Sequence, residues 1–230
     1  MKKNRILANF ICLVVIFGIL FIGCGKKSDT TDVTKKDNTT QMNNTNNNTQ
    51  KKDSVVTPKD TLADKMKTMP DTVIMETSMG TMTIALYSKD APQHVLNFKK
   101  LVYNKYYDGL LFHRVIPDFM IQGGDPNTKT DKKETYGTGG PNYTIPAEIK
   151  LKHEIGSLAA ARTDNPAKAS SGSQFYIVTG KQAFTLDGAY TVYGKIIKGI
   201  EVAQKIQNVK RDERDCPVDK VVIKKVYFAK

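Results

Sequence analysis

The sequence predicts a mainly β fold, a closed barrel accompanied by two α-helices, from three observations. Short runs of β-branched and aromatic residues recur between Asp71 and the C-terminus, several with the period-two alternation of half-buried strands. Turn residues such as Ser78-Met79-Gly80 and Asp108-Gly109 punctuate them. Clear helical spacing occurs in only two places, too few for a βαβ arrangement.

In chain order, residues 73–77 and 81–87 read as a hairpin around Ser78-Met79-Gly80. Asp90 precedes Ala91 and Pro92, a helix start with proline in the first turn. Val95, Phe98, Leu101 and Val102 follow as an apolar stripe that ends near Asn104. Short strands are expected at 111–115 and 119–122, then a long polar, glycine-bearing surface loop over 126–146. Strand patterns return at 156–161, 174–178, 191–195 and 221–228, with a second short helix at 200–206.

The first 70 residues differ in kind. Lys2, Lys3 and Arg5 precede an apolar stretch over 6–22 that only Asn9 interrupts. It is short for a membrane span and reads as a signal peptide, residues 1–23. It closes on Phe21-Ile22-Gly23-Cys24, which resembles the lipobox of bacterial lipoproteins, with Phe21 where leucine is usual and Leu20 beside it. That resemblance implies a diacylated Cys24 and a protein held on a membrane of the cell envelope, its domain outside the cytoplasm. Residues 24–70 are then the lipidated cysteine and a polar linker, too poor in large apolar residues to offset the entropy of ordering. As a flexible coil such a segment spans about 40 Å. Within it, only 61–69 carries the pattern of a helical turn.

Of the three cysteines, Cys12 leaves with the signal, Cys24 carries lipid, and Cys216 has no partner for a disulfide. The domain over 71–230 must therefore rest on its core, which its size allows. The net charge of +12 divides evenly, +6 on 1–70 and +6 on 71–230. That is not the concentrated basic face of a nucleic-acid binder. Nothing in the pattern calls for an oligomer, and a monomer is expected.

The chemistry is concentrated in Phe112-His113-Arg114-Val115-Ile116-Pro117-Asp118-Phe119-Met120-Ile121-Gln122-Gly123-Gly124-Asp125. One arginine stands among apolar and aromatic side chains, then a glutamine and a glycine pair. Later Ser171-Gly172-Ser173-Gln174-Phe175-Tyr176-Ile177 repeats the mix of amide and aromatic groups on an alternating strand. A permanent cation beside an apolar pocket, without a nucleophile, suits a reaction that breaks no bond, such as rotation about a peptide bond. Asp125 has no second carboxylate or histidine at ligand spacing, so it reads as a loop residue and no metal is expected. Gly137-Thr138-Gly139-Gly140 lacks the Lys-Ser/Thr of a phosphate loop. His113 reads as structural, because isomerisation needs no proton transfer.

Together with Leu186-Asp187-Gly188 and Val192-Tyr193-Gly194, these motifs resemble the cyclophilin-type peptidyl-prolyl cis-trans isomerases, in order, over essentially all of 71–228. The resemblance implies an eight-stranded antiparallel β-barrel capped by two α-helices, a groove on its outside, proline-containing unfolded or flexible proteins as substrates, and no cofactor. It makes Arg114 the catalytic arginine and Gln122 the glutamine that orients it and the substrate backbone. Phe119, Met120 and Leu186 line the proline pocket, with Tyr176 in place of the usual phenylalanine. Ala161 and Arg162 fall where an edge strand pairs with substrate, and Gln174 matches a second groove amide. Tyr190 stands where a histidine is common at the rim. Thr185 replaces a tryptophan of some members, with Phe184 as partial substitute. Residues 163–171 are slightly longer than in compact relatives. Two alternatives remain beside catalysis: a module that captures proline-containing segments with negligible turnover, and a chaperone holdase.

Overall fold

The computed structural model describes residues 61–230. The signal peptide, Cys24 and the polar stretch up to residue 60 lie outside the described residues. The last residues of the stretch read as linker do have structure: α1, Leu62–Thr68, is capped by Thr61, whose hydroxyl accepts from the Asp64 N–H at 3.3 Å. So short a helix is marginal alone. It persists because Met66 is fully buried and Lys65 Nζ reaches the Tyr103 hydroxyl at 2.8 Å.

Strands β1, Thr72–Thr77, and β2, Gly80–Leu86, form the expected hairpin in register Thr77↔Gly80, each burying alternate residues. Gly80 has φ +138°, and a Cβ there would meet Val202 Cγ2 at 2.7 Å. Helix α2, Pro92–Tyr103, follows, burying Val95, Phe98, Leu101 and Val102. Its start differs from the sequence reading in one respect. Asp90 is not the cap; the carboxylate of Glu148 accepts from the N–H groups of Gln93 at 3.1 Å and His94 at 3.0 Å. An anion at the positive end of the helix is favourable wherever in the chain it originates.

The remaining strands are β3, Arg114–Ile116; β4, Met120–Gly123; β5, Thr144–Ile145; β6, Ser157–Ala160; β7, Ser170–Ser171; β8, Phe175–Val178; β9, Val192–Lys198; and β10, Ile223–Phe228. Helix α3, Ile200–Ile206, lies between β9 and β10 and buries Val202, Ala203 and Ile206. Eight strands pair in the order β10-β1-β2-β9-β6-β8-β4-β3, with antiparallel neighbours throughout. The sheet curls until its edges meet. Leu111 bridges Val222, Phe112 N–H donates to Val221 O at 3.0 Å, and Ile223 N–H donates to Leu110 O at 2.7 Å. Such closure removes the free edges that invite aggregation. The fold is the mainly β, eight-stranded antiparallel class expected. The long loop over 126–146 also holds two single 3₁₀ turns and β5, which pairs with β7.

Alternation sends the side chains of the central strands to two places. Ile121, Leu158, Phe175 and Ile177 point inward and pack with Phe98, Tyr107 and Phe112. Met120, Ala159, Tyr176 and Val178 point outward, under Phe119, Leu186 and Tyr190. The interior is a filled core, so a binding site must lie on the outer face.

Candidate active site

A cavity of about 110 Å³ opens on that outer face, lined by Arg114, Phe119, Met120, Gln122, Ala161, Arg162, Tyr176, Leu186 and Tyr190. Only about 10–15 Å³ is needed to admit a water, so this recess takes a small ring. Every residue expected in the site lines it except Gln174. A wider groove of about 460 Å³ adjoins it and shares Gln122, Ala161 and Arg162; Gln174 lies there.

The turn between β3 and β4 presents the pocket's aromatic edge. Asp118 adopts φ +55°, a left-handed conformation that aspartate tolerates. The carbonyl of Phe119 accepts from Thr179 N–H at 3.1 Å and Gly180 N–H at 3.3 Å. Gly180 must be glycine, because a Cβ would lie 2.0 Å from Asp118 C. Phe119 and Met120 are neighbours, yet both line the recess. Phe119 belongs to the turn, where strand alternation does not apply, and Met120 begins β4, buried at the floor.

Arg114 and Gln122 are directly opposed in the β3–β4 pair, and Arg114 is exposed at the rim. Gln122 Nε2 donates to Gln174 Oε1 at 3.0 Å. Gln174 Nε2 donates to Gly137 O at 3.0 Å and Gly139 O at 2.7 Å. Gln174 thus lies in the adjoining groove rather than in the recess, and both ends of its amide bond the protein, making it a joint between loop and groove.

Ala161 lines the recess through its side chain. Its N–H donates to Gln174 O at 3.0 Å and its carbonyl accepts from Ser171 N–H at 2.8 Å, so its backbone is occupied and only its methyl faces the pocket. The edge belongs to Arg162. Its side chain turns aside, donating from Nε to Ala189 O at 3.1 Å and lying 4.7 Å over the Tyr190 ring. Thr185 and Phe184 are exposed and do not line the recess, so Phe184 does not stand in for a tryptophan.

Behind the pocket lies a polar support that the sequence did not reveal. Tyr176 is buried, and its hydroxyl meets His153 Nε2 at 2.8 Å; His153 Nδ1 meets Asp187 Oδ1 at 2.7 Å. The carboxylate can only accept, so Nδ1 carries the proton and Nε2 accepts from Tyr176. Burial raises the Tyr176 pKa and keeps the phenol a donor. The backbone N–H of His153, and then its ring, hold the Asp187 carboxyl below its ordinary value. Asp187 was legible in Leu186-Asp187-Gly188; nothing local marked His153. His113, read as structural, is buried, but neither ring nitrogen has a protein partner.

Comparison with known proteins agrees with this geometry. Residues 72–228 match the family model described as cyclophilin type peptidyl-prolyl cis-trans isomerase/CLD. A peptidyl-prolyl cis-trans isomerase of Arabidopsis thaliana is 37% identical over 156 residues, covering 67% of this chain and 91% of that protein. One from Acinetobacter baylyi is 43% identical over 141 residues, covering 60% and 72%. A crystal structure of a Cryptosporidium parvum cyclophilin in the presence of the dipeptide Ala-Pro superposes with a TM-score of 0.63 at 30% identity, covering 69% of this chain and 99% of that one. An outward-facing recess on a closed eight-stranded barrel, carried by a sequence that matches over residues 72–228, defines the class. The chain belongs to the cyclophilin-type peptidyl-prolyl cis-trans isomerases, enzymes that rotate the bond preceding proline.

Proposed function

We propose that this isomerase acts on proline-containing segments of unfolded or flexible exported proteins while lipid-anchored through Cys24, and that Arg114 supplies its main catalytic donor. The observation that carries the mechanism is the placement of Arg114 at the exposed rim of a recess whose walls include Phe119, Met120 and Leu186. Among the described residues, the arginines held in ion pairs are Arg162 and Arg211, not Arg114.

Amide resonance sets a rotational barrier of about 18–20 kcal/mol. In the twisted state resonance is lost, and the proline nitrogen gains a free lone pair. A donor aimed at that nitrogen favours the twisted form and does little for the planar ones, which is differential binding in the sense catalysis requires. The guanidinium suits this role, being charged and presenting donors in a fixed fork. Phe119, Met120, Tyr176 and Leu186 hold the ring and exclude water, which strengthens that contact. The backbone of Arg162 is positioned to pair with the extended substrate. Ala-Pro in the related crystal structure supports a proline-containing ligand.

Export and anchoring rest on the charged start, the short apolar stretch and Gly23-Cys24. The enzyme is read as a monomer. In a proline-peptide isomerisation assay, Arg114→Ala is expected to lower kcat/KM by about 100-fold, the scale of losing one preorganised donor. Wild-type rates in that variant would remove the mechanism. Mass spectrometry of the mature N-terminus is expected to find a diacylglyceryl group on Cys24, and an unmodified N-terminus there would remove the anchor.

A further inference from the structure

We infer that Asp125 is a positioning residue for catalysis, acting through the amides of Gln174 and Gln122 on Arg114. The inference rests on the arginine reading above. Asp125 is fully buried and forms no ion pair among the described residues. A buried carboxylate is costly unless hydrogen bonds replace its water. Here the replacement comes from the backbone of one loop. Oδ1 accepts from Asn127 N–H at 2.7 Å; Oδ2 accepts from Gly137 N–H and, at 3.2 Å, from Gly139 N–H. The carboxylate thus ties the beginning of the loop to its far end.

The same two glycines face the active groove with their carbonyls, and both accept from Gln174 Nε2. Two acceptors on one side of a side-chain amide decide which end is nitrogen. Gln174 Oε1 must then face Gln122 and accept from its Nε2. Gln122 is oriented in turn; its register partner on β3 is Arg114, whose guanidinium would complete the series by donating to Gln122 Oε1. Each step admits one orientation, and the series begins at Asp125. An asparagine would keep one acceptor but set an NH₂ against the N–H groups of Gly137 and Gly139. Gly139 leaves no slack, since a Cβ there would lie 2.2 Å from Asp125 Oδ1.

The experiment compares steady-state kinetics and folding of full-length Asp125→Asn, Gly139→Ala, Gln174→Leu, Arg114→Ala and the double variant Asp125→Asn/Gln174→Leu. Glu148→Gln is the control: its carboxylate likewise accepts backbone N–H groups, but at the start of α2, away from the pocket. Asp125→Asn is expected to lower kcat about tenfold with little change in KM, because an arginine acting in the twisted state is being misaligned. Gly139→Ala should reproduce that loss, and it carries the test if Asp125→Asn fails to fold. The double variant should be no slower than Gln174→Leu alone, whereas Glu148→Gln should lose stability and keep its kcat. A folded Asp125→Asn or Gly139→Ala with kcat within twofold of wild type overturns the inference, as does full additivity in the double variant. If Arg114→Ala is also fully active, the arginine reading itself falls, so the two failures are distinguishable.

Discussion

The inner and outer faces of β4, β6 and β8 are both largely buried, yet they are built differently. Inward, aromatic rings meet edge to face, Phe98 with Phe175 at 6.2 Å and Phe112 with Phe175 at 6.1 Å, and fill the space between barrel and α2. Outward, Ala159, Ala161 and Ala183 are small, and Tyr176 carries a hydroxyl that needs His153. Dense packing resists any change of volume. On the outer face the larger side chains, Phe119, Met120, Tyr176 and Leu186, stand around a recess that a substrate can fill. One pair of adjacent residues, Phe175 and Tyr176, serves both purposes because a strand alternates.

The comparison breaks most readily at Phe175. Phe175→Ala should cost about 3–5 kcal/mol in denaturant unfolding, the usual loss for a fully buried phenylalanine. The folded fraction should keep its KM, because the ring faces away from the groove; a raised KM would mean that the faces are not separable.

His113, buried outside both of these clusters, offers a pH test of burial. Burial is the leading cause that lowers its pKa to about 4 from an ordinary value near 6.5. The unfolded chain then takes up a proton between these values while the folded chain does not. The stabilisation is complete above 6.5 and is lost as pH falls toward 4, at up to about 1.4 kcal/mol per pH unit. Urea unfolding between pH 7 and pH 4.5 should be steeper in the wild type than in His113→Gln; equal slopes would assign the acid sensitivity to the carboxylates.

On the outer face, Leu186→Ala should lower kcat/KM about tenfold, the scale of trimming an apolar pocket, and leave the melting midpoint nearly unchanged because Leu186 is only half-buried. The smallest effect is expected from Tyr176→Phe, which keeps the pocket wall but strands His153 Nε2. A stability loss of about 1 kcal/mol with kcat/KM within threefold of wild type would assign the phenol to support alone. A larger loss of rate would give that hydroxyl a part in shaping the site.

Much of this was legible along the chain. The hairpin, the apolar stripe of α2 and the alternating runs are local patterns, and the order of the motifs located Arg114, Phe119, Met120, Tyr176 and Leu186. What stayed hidden were the contacts of residues whose partners lie far away. Gln174 looked like a free groove amide because nothing nearby shows Gly137 and Gly139 arriving against it. Ala161 and Arg162 are adjacent, and only the sheet decides which has spare backbone groups. Helix α1 was nearly invisible, since its one buried side chain, Met66, means nothing without α2 to pack on.

Alternation and spacing therefore determined the mainly β class and the strands, and the resemblance of the motifs pointed to the side chains able to meet a proline ring. Those signals survive in one dimension because strand and helix periods are properties of neighbouring residues. The tertiary structure decided which polar groups are already taken: Glu148 at the start of α2, His153 behind Tyr176, and Asp125 beneath the glycine loop. A hydrogen bond is satisfied by whatever donor stands within about 3 Å, and closure of the barrel, not proximity in sequence, brings those donors there.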